Sequence, residues 1–532
     1  MKVALARNAQ PGVDLISPSN NHDIYSIEDL AQVVQELKTV NPRARVSVKV
    51  PVVPDIGIIA CGIAKSGADI VTLSGYDGGT GAARQHALRR AGLPAEIGVS
   101  EAHRALVASG LRDKVEIWCD GGMKSALDVA KMLCLGADRV GFGTLAMFAI
   151  GCMICRGCQL DTCHVGIATQ IESAVEATER GLKRFEPQEF ERAVTNLMRF
   201  FGAMRDELAR ITALLGVSST QELVGRTDLL AQARGLDRID LSGLLAPAGP
   251  VRRGGRELRV LAAPGGPTVE EEARAGAESD RPRLGSEHRF IATATAGQLA
   301  RQRIAGAVVT ELASSFRHGS VAGNGFGAYS TDGMSLRIAG GAQDGAAKTA
   351  LGGTFAVLKA RNRSGDWVDG SVGKCFGYGA QRGRFYVQGG ADARAGIRLS
   401  GADVLFGGDL RGFAFEYMTG GRAVVLGDPG RWICSGMSGG VVFLRHDVAR
   451  GLDERGLRDR FAKGAKVSLR PPSSDEDLVA LCDLVGSYAT LLHESGQTET
   501  AAVTRALLDD PAAHFRVVRP GADIVDQTIS TE

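Results

Sequence analysis

An α/β region followed by an all-β region is the fold class this sequence predicts: a partial β/α barrel, then helices, then a parallel solenoid of short strands. Three observations carry the prediction. Strand-like and helix-like stretches alternate through the first 150 residues, four of the ten cysteines crowd into residues 151–170, and the 70 glycines concentrate after residue 319. Alternating strands and helices build parallel sheet. Rungs too short to bury a face alone stack into a coil.

The chain of 532 residues is long enough for about three or four domains, and its 44% hydrophobic content suffices for proper cores. A formal charge of +2 gives no electrostatic reason to expect nucleic acid or an anionic membrane as partner. The start, MKVALARNAQPG, lacks an apolar signal core, and no apolar run approaches the roughly 18 residues of a membrane span. A cytoplasmic location follows, and in that reducing compartment clustered cysteines read as metal ligands rather than disulfides. Scattered Cys61, Cys119, Cys134, Cys375, Cys434 and Cys482 read as ordinary interior residues.

Taken in order, the chain opens with a helix over SIEDLAQVVQELKTV: Ser26 suits its N-cap, and Glu28 and Asp29 suit its positive end. RVSVKV (45–50) alternates as a strand, the helix PDIGIIACGIAKSGA follows, and DIVTLSG ends the first β-α-β unit in glycine. The unit repeats through SEAHRALVASGL, KVEIWCDGG, KSALDVAKMLCLGA and RVGFGT, giving four strands. Three strand ends carry polar or glycine-rich punctuation: LSGYDGGTGAA (73–83), CDGG (119–122) and GFGT (141–144). In a β/α barrel, ligands sit at the carboxyl ends of strands, where bare backbone N–H groups commonly hold phosphate. Gly121, Gly122, Gly141, Gly143 and Thr144 fit that role, and Lys49 closes an apolar strand at the same mouth.

The stretch GCMICRGCQLDTCHVGIATQ permits several ligand sets. The spacing C-x5-C-x4-C through Cys152, Cys158 and Cys163 leaves Cys155 spare, and three thiolates suit a three-iron cluster. A closed zinc site, completed by Cys155 or His164, satisfies the spacing equally. Residues 171–232 have helical period and should pack over this cluster, residues 233–290 shift to Arg, Gly, Pro and Ala as a linker, and residues 319–443 repeat short strands with glycine corners. The tail after 450 again has helical period.

HDIYSIEDLAQ, SVKV, SGYDGGTGAA, CDGGMKSALD, GFGT and the cysteine stretch, in that order, resemble the synthase domain of the glutamate synthase large subunit. GNGFG, EYMTGG and GMSGG resemble the C-terminal right-handed parallel β-helix of the same family. The resemblance implies FMN in the barrel, with Ser74, Gly75 and the DGG and GFGT turns on the cofactor. It also implies a [3Fe-4S] cluster on Cys152, Cys158 and Cys163, and Lys49 in contact with flavin or the 2-oxoacid. The implied reaction is reductive amination of 2-oxoglutarate, with ammonia from a glutamine amidotransferase and electrons from an NADPH-oxidising subunit or ferredoxin. Met1 is followed by Lys2, not by the N-terminal cysteine of an amidotransferase, and four strands are half a barrel, so either a partner chain supplying the other half or a reading frame that starts further upstream is expected. Arg84, Gln85 and His86 depart from the family's pattern. They keep in view a synthase for an N-substituted amino acid, and the missing strands keep in view a truncated non-catalytic scaffold. The expected segments are a half barrel at 1–150, the cysteine segment and its helices at 151–232, the linker at 233–290, the β-helix at 291–450 and a helical tail at 451–532.

Overall fold

The computed structural model describes residues 21–78, 92–155, 158, 162–168, 171, 173–182, 184–249, 284–307 and 311–521. Arg84, Gln85 and His86, the glycines after residue 78 and most of the expected linker lie outside the described residues. Two compact units emerge, coarser than the five expected segments: residues 24–35 with 43–259, and residues 1–23 with 36–42 and 260–532.

The first unit alternates as the sequence predicts. Helix α1 (Ile27–Val40) precedes β1 (Ser47–Pro51), α2 (Ile56–Lys65), β2 (Ile70–Ser74), α3 (Ala95–Ala108), β3 (Glu116–Asp120), α4 (Ala126–Cys134) and β4 (Arg139–Val140). Reciprocal capping starts α1, where Ser26 Oγ accepts from Asp29 N at 3.2 Å and Asp29 Oδ2 accepts from Ser26 N at 3.1 Å. At α4, Asp128 N donates to Ser125 Oγ at 3.2 Å, while Asp128 Oδ2 accepts from the Ser125 hydroxyl at 3.0 Å and from Lys124 N at 3.1 Å. The four strands pair in parallel in the order β1-β2-β3-β4. Ile56, Val71, Leu73, Val99 and Ile117 are buried between sheet and helices. Arg112, 3% exposed, donates to Asp138 Oδ2 at 2.8 Å and to the carbonyls of Val115 and Gly136, so this buried cation is well engaged. Among the described residues the sheet is open and does not close into a barrel.

Short α5 (Thr144–Ala149) and α6 (Ala174–Glu179) flank the cysteine stretch, and α7 (Phe190–Leu214) follows. The apolar face of α7 lies on α4, with Leu208 and Ile211 against Val129, Leu133 and Cys134. Of the 171–232 region, the segment 184–188 touches the cysteine stretch, through Glu186 N to His164 O at 2.9 Å. Nor is all of 233–290 a plain linker: a turn of helix, α8 (Ser242–Leu245), accepts from Ser100 Oγ at the Leu244 carbonyl.

The second unit enters through α9 (Thr293–Ile304) and a nine-stranded sheet. Its parallel part runs through β5 (Leu312–Ala322), β6 (Met334–Ala342), β7 (Leu351–Leu358), β10 (Arg382–Val387), β11 (Ser400–Phe406), β12 (Thr419–Val425) and β13 (Gly439–Arg445). The hairpin of β8 (Ala360–Arg361) and β9 (Trp367–Val368) is inserted between β7 and β10. Arg384 pairs with Asp403, Asp403 with Arg422 and Arg422 with Val441, a step of 19 residues each time. Inside, Phe326, Phe355, Phe376, Phe406 and Phe415 form a ladder with successive ring centroids 5.2–6.4 Å apart.

The corners correct a simple glycine reading. Left-handed backbone recurs with the same period at Arg394, Phe413 and Trp432 (φ 65, 57 and 58°), and at Gly396, Phe415 and Cys434 (φ 65, 60 and 60°). An L-residue there costs roughly 1–2 kcal/mol. Burial of Phe415 and Cys434, both 0% exposed, offsets that cost by about 1.5–3 kcal/mol for a side chain the size of phenylalanine.

The tail is not purely helical. After α10 (Glu454–Arg458) comes β14 (Val467–Arg470), then α11 (Asp475–Glu494), α12 (Thr498–Ala506), α13 (Pro511–His514) and β15 (Phe515–Pro520). β15 pairs antiparallel with β13, and β14 with β15, closing that end of the sheet. Leu481, Leu484, Val485 and Leu492 of α11 pack on Leu405, Val424 and Phe443. Asp477, with no exposed side chain, is held between Arg519 at 2.7 Å and Arg470 at 2.8 Å. Burial pushes its carboxyl up, but hydrogen bonds from Arg519, Ser474 and Arg470 outweigh that and leave it below the usual range. No helix among the described residues is long and apolar enough to cross a membrane.

Candidate functional site

Sheet register assembles the site of the first unit at the carboxyl ends of its strands. Ser74, last in β2, stands directly opposite Asp120, last in β3, while Lys49 projects from β1 two residues before the partner of Ser74. Lys49 Nζ lies 2.5 Å from Asp120 Oδ2, and Ser74 Oγ donates to Asp120 Oδ1 at 2.6 Å. Gly75 N donates to the Asp120 carbonyl at 2.9 Å.

A cavity of about 540 Å³ opens beside them, within the 300–1,000 Å³ typical of cofactor sites. Gly121, Gly122, Gly141, Gly143 and Thr144, all five turn residues singled out in the sequence, line it. Asp77, Asp120 and Lys124 supply its charge, and Leu145, Phe148 and Ile154 an apolar wall. Lys49 and Ser74 do not line it themselves and reach it through Asp120. Gly75 lines a smaller recess of about 50 Å³ that shares Asp77, Gly121 and Gly122. The glycines are sterically required to different degrees. A Cβ on Gly122, where φ is +77°, would stand 2.6 Å from Asp77 Oδ2, whereas a Cβ on Gly143 would meet nothing within 4 Å. The bare backbone at 143 thus leaves room for a ligand group to approach it, the property a phosphate cradle needs. Asp77 and Asp120 escaped the sequence reading. Both stood in the YDGG and CDGG turns, where attention fell on the glycines.

The cysteine stretch is less resolved as a site. Cys152 and Cys158 are half-buried, Cys155 is exposed and Cys163 is buried at 4% exposure. Among the described residues no three cysteine, histidine or acidic side chains stand together as a metal-ligand set, and residues 156–157 and 159–161 lie outside those described. Cys163 nevertheless sits among backbone amides. Burial raises its thiol, but the consecutive amides of Ala168, Val165, Ile167 and Gly166 hydrogen-bond to it and bring it below the ordinary range. His164 Nδ1 donates to the Arg184 carbonyl at 2.8 Å. Of the scattered cysteines, Cys119, Cys134, Cys375 and Cys434 are buried, with Cys119 pushed up by burial to about 12 and Cys134 to about 11. Cys482 is exposed and Cys61 half-buried, so those two are not interior as expected.

Comparison with known proteins is consistent across most of the chain. Residues 1–218 match the conserved region in glutamate synthase, and residues 270–492 match the GXGXG motif. Ferredoxin-dependent glutamate synthase 2, chloroplastic, from Arabidopsis thaliana is 37% identical over 461 residues, covering 83% of this chain and 27% of that protein. The large chain of glutamate synthase [NADPH] from Bacillus subtilis is 36% identical over 465 residues, covering 84% of this chain and 29% of that protein. The chain therefore spans little more than a quarter of the length of these relatives. Flavocytochrome b2 with sulfite bound shares 22% identity at a TM-score of 0.24, over 44% of this chain and 47% of that one, a likeness too slight to carry an argument.

Proposed function

The chain belongs to the glutamate synthase family, and from that premise we propose that it takes part in reductive amination of 2-oxoglutarate to glutamate. The observation that carries the reading is the glycine-lined cavity at the strand ends, with Asp120 in its wall and Lys49 paired to Asp120 beside it. In this reading the four-stranded sheet is half of a β/α barrel whose other half comes from further polypeptide, and the 19-residue repeat is a right-handed parallel β-helix. FMN would be held by the backbone of Gly121, Gly122, Gly141, Gly143 and Thr144, with Ser74 and Gly75 behind them; when bound it supplies the hydride that reduces the imine carbon.

The chain's own side chains do the rest. Lys49 offers a cation to a substrate carboxylate, the strand ends orient the 2-oxoacid, and Leu145, Phe148 and Ile154 keep water from an imine that water would hydrolyse. We assign Cys152, Cys158 and Cys163 to a [3Fe-4S] cluster. The backbone amides around Cys163 support its part, while among the described residues the three thiols do not stand together. Ammonia from an amidotransferase, electrons from ferredoxin or an NADPH-oxidising subunit, and a cytoplasmic setting complete the reading.

The test is anaerobic purification with the products of neighbouring genes, followed by flavin absorption, iron content and glutamate formation from 2-oxoglutarate and ammonia. Flavin, iron and turnover lowered about a hundredfold by Lys49→Ala are the expected result. Protein without flavin or iron sinks the proposal, and faster turnover of methylamine than ammonia would favour the synthase of an N-substituted amino acid.

A further inference from the structure

Lys49 is not a free lysine at a strand end. Its side chain is 57% exposed, yet its ammonium is 2.5 Å from one oxygen of Asp120, whose other oxygen takes the Ser74 hydroxyl at 2.6 Å. The backbone of Asp120 is held as well, by the bond from Gly75 N to its carbonyl and by Gly121, where a Cβ would come within 3.0 Å of the Gly75 carbonyl. The carboxylate is thus fixed at both oxygens and at its main chain. The lysine is a flexible four-carbon stem that carries about 2 kcal/mol of rotamer entropy when unrestrained.

Resting on the reading of this cavity as the 2-oxoacid site, the geometry points to Asp120, which lines the cavity, as a positioning residue that holds the Lys49 ammonium beside it while Ser74 fixes the carboxylate. An ammonium has three donors. With one given to Asp120, the others are free to meet a substrate carboxylate in one orientation rather than many. Asp120 is itself anionic and lines the cavity, so it does not favour binding of an anionic substrate; its contribution is to orientation. A kinetic signature follows: loss of the Asp120 charge lowers kcat and leaves KM unchanged or reduced.

Two measurements test the assignment. The first needs no activity: reductive methylation of the full chain with formaldehyde and cyanoborohydride, followed at Lys49 by peptide mass spectrometry, with Lys65 and Lys114 as internal references. Asp120→Asn should speed modification of Lys49 several-fold and Ser74→Ala should speed it less, both without change at the reference lysines. Equal rates in all three proteins overturn the proposal. The second uses the assembled enzyme, where Asp120→Asn should lower kcat roughly ten- to a hundredfold with flavin retained and the 2-oxoglutarate KM not raised. Flavin lost in step with activity, or a raised KM at unchanged kcat, makes Asp120 a ligand-binding residue and overturns it. Inactivity of the unsubstituted enzyme counts against the functional reading alone, because the labelling comparison still decides whether Asp120 holds Lys49.

Discussion

The two large sheets of this chain differ in how their edges are completed and in where their polar groups gather. In the nine-stranded sheet, charges are satisfied by one another: Arg422 joins Asp403 at 2.5 Å and Asp483 of α11 at 3.1 Å, and Arg384 joins Asp483 at 2.8 Å. One end of that sheet is closed by β15 and β14. In the four-stranded sheet, nothing among the described residues pairs with the outer edges of β1 and β4, and the polar groups gather at strand ends around a cavity. The difference teaches where stability and chemistry lie. A repeat buries its faces and pairs its charges internally, whereas a site needs polar groups left available to something else.

The largest expected effect probes the stable side. Phe406, fully buried between Phe376 and Phe415, should cost about 3–5 kcal/mol as Phe406→Ala, measured by chemical denaturation, with Lys49 methylation unchanged. Slower or faster modification of Lys49 in that variant would break the separation between the two regions.

Asp477→Asn comes next, at about 2 kcal/mol for weakened hydrogen bonds to charged partners. The folded carboxyl is held below its usual range, so its contribution is fully present above the unfolded value near pH 4 and lost as pH falls through the lower folded value. The stability gap between Asp477→Asn and the unsubstituted chain should therefore close on acidification. A gap constant from pH 7 to pH 3 contradicts the ion-pair account.

Two glycines sharpen the site side. Gly122→Ala puts a Cβ against Asp77 in left-handed backbone and should cost roughly 1–2 kcal/mol, together with flavin retention. Gly143→Ala meets no neighbour and should leave thermal unfolding within about 0.5 kcal/mol while still weakening flavin binding, read by fluorescence titration. Normal flavin affinity in Gly143→Ala removes that turn from the cofactor cradle.

Much of this was open to a reader of the residues alone. Alternating RVSVKV and DIVTLSG marked their strands because side-chain period is a local property, and Ser26 marked its helix because a cap acts within one turn. Gly121 and Gly122 marked a turn for the same reason. The left-handed corners at Arg394, Phe413, Phe415 and Trp432 were not legible, because their setting in rungs repeating every 19 residues is not a local property. β14 and β15 hid within a tail of helical period, their pairing set by β13.

Local composition alone thus determined the alternating order of the first region, the glycine turns that line the cavity, and the repetitive character of the second. Tertiary structure decided that Lys49 meets Asp120, 71 residues further along, and that Ser74 braces the pair. Hydrogen-bond register between strands, which no single strand encodes, sets which side chains become neighbours.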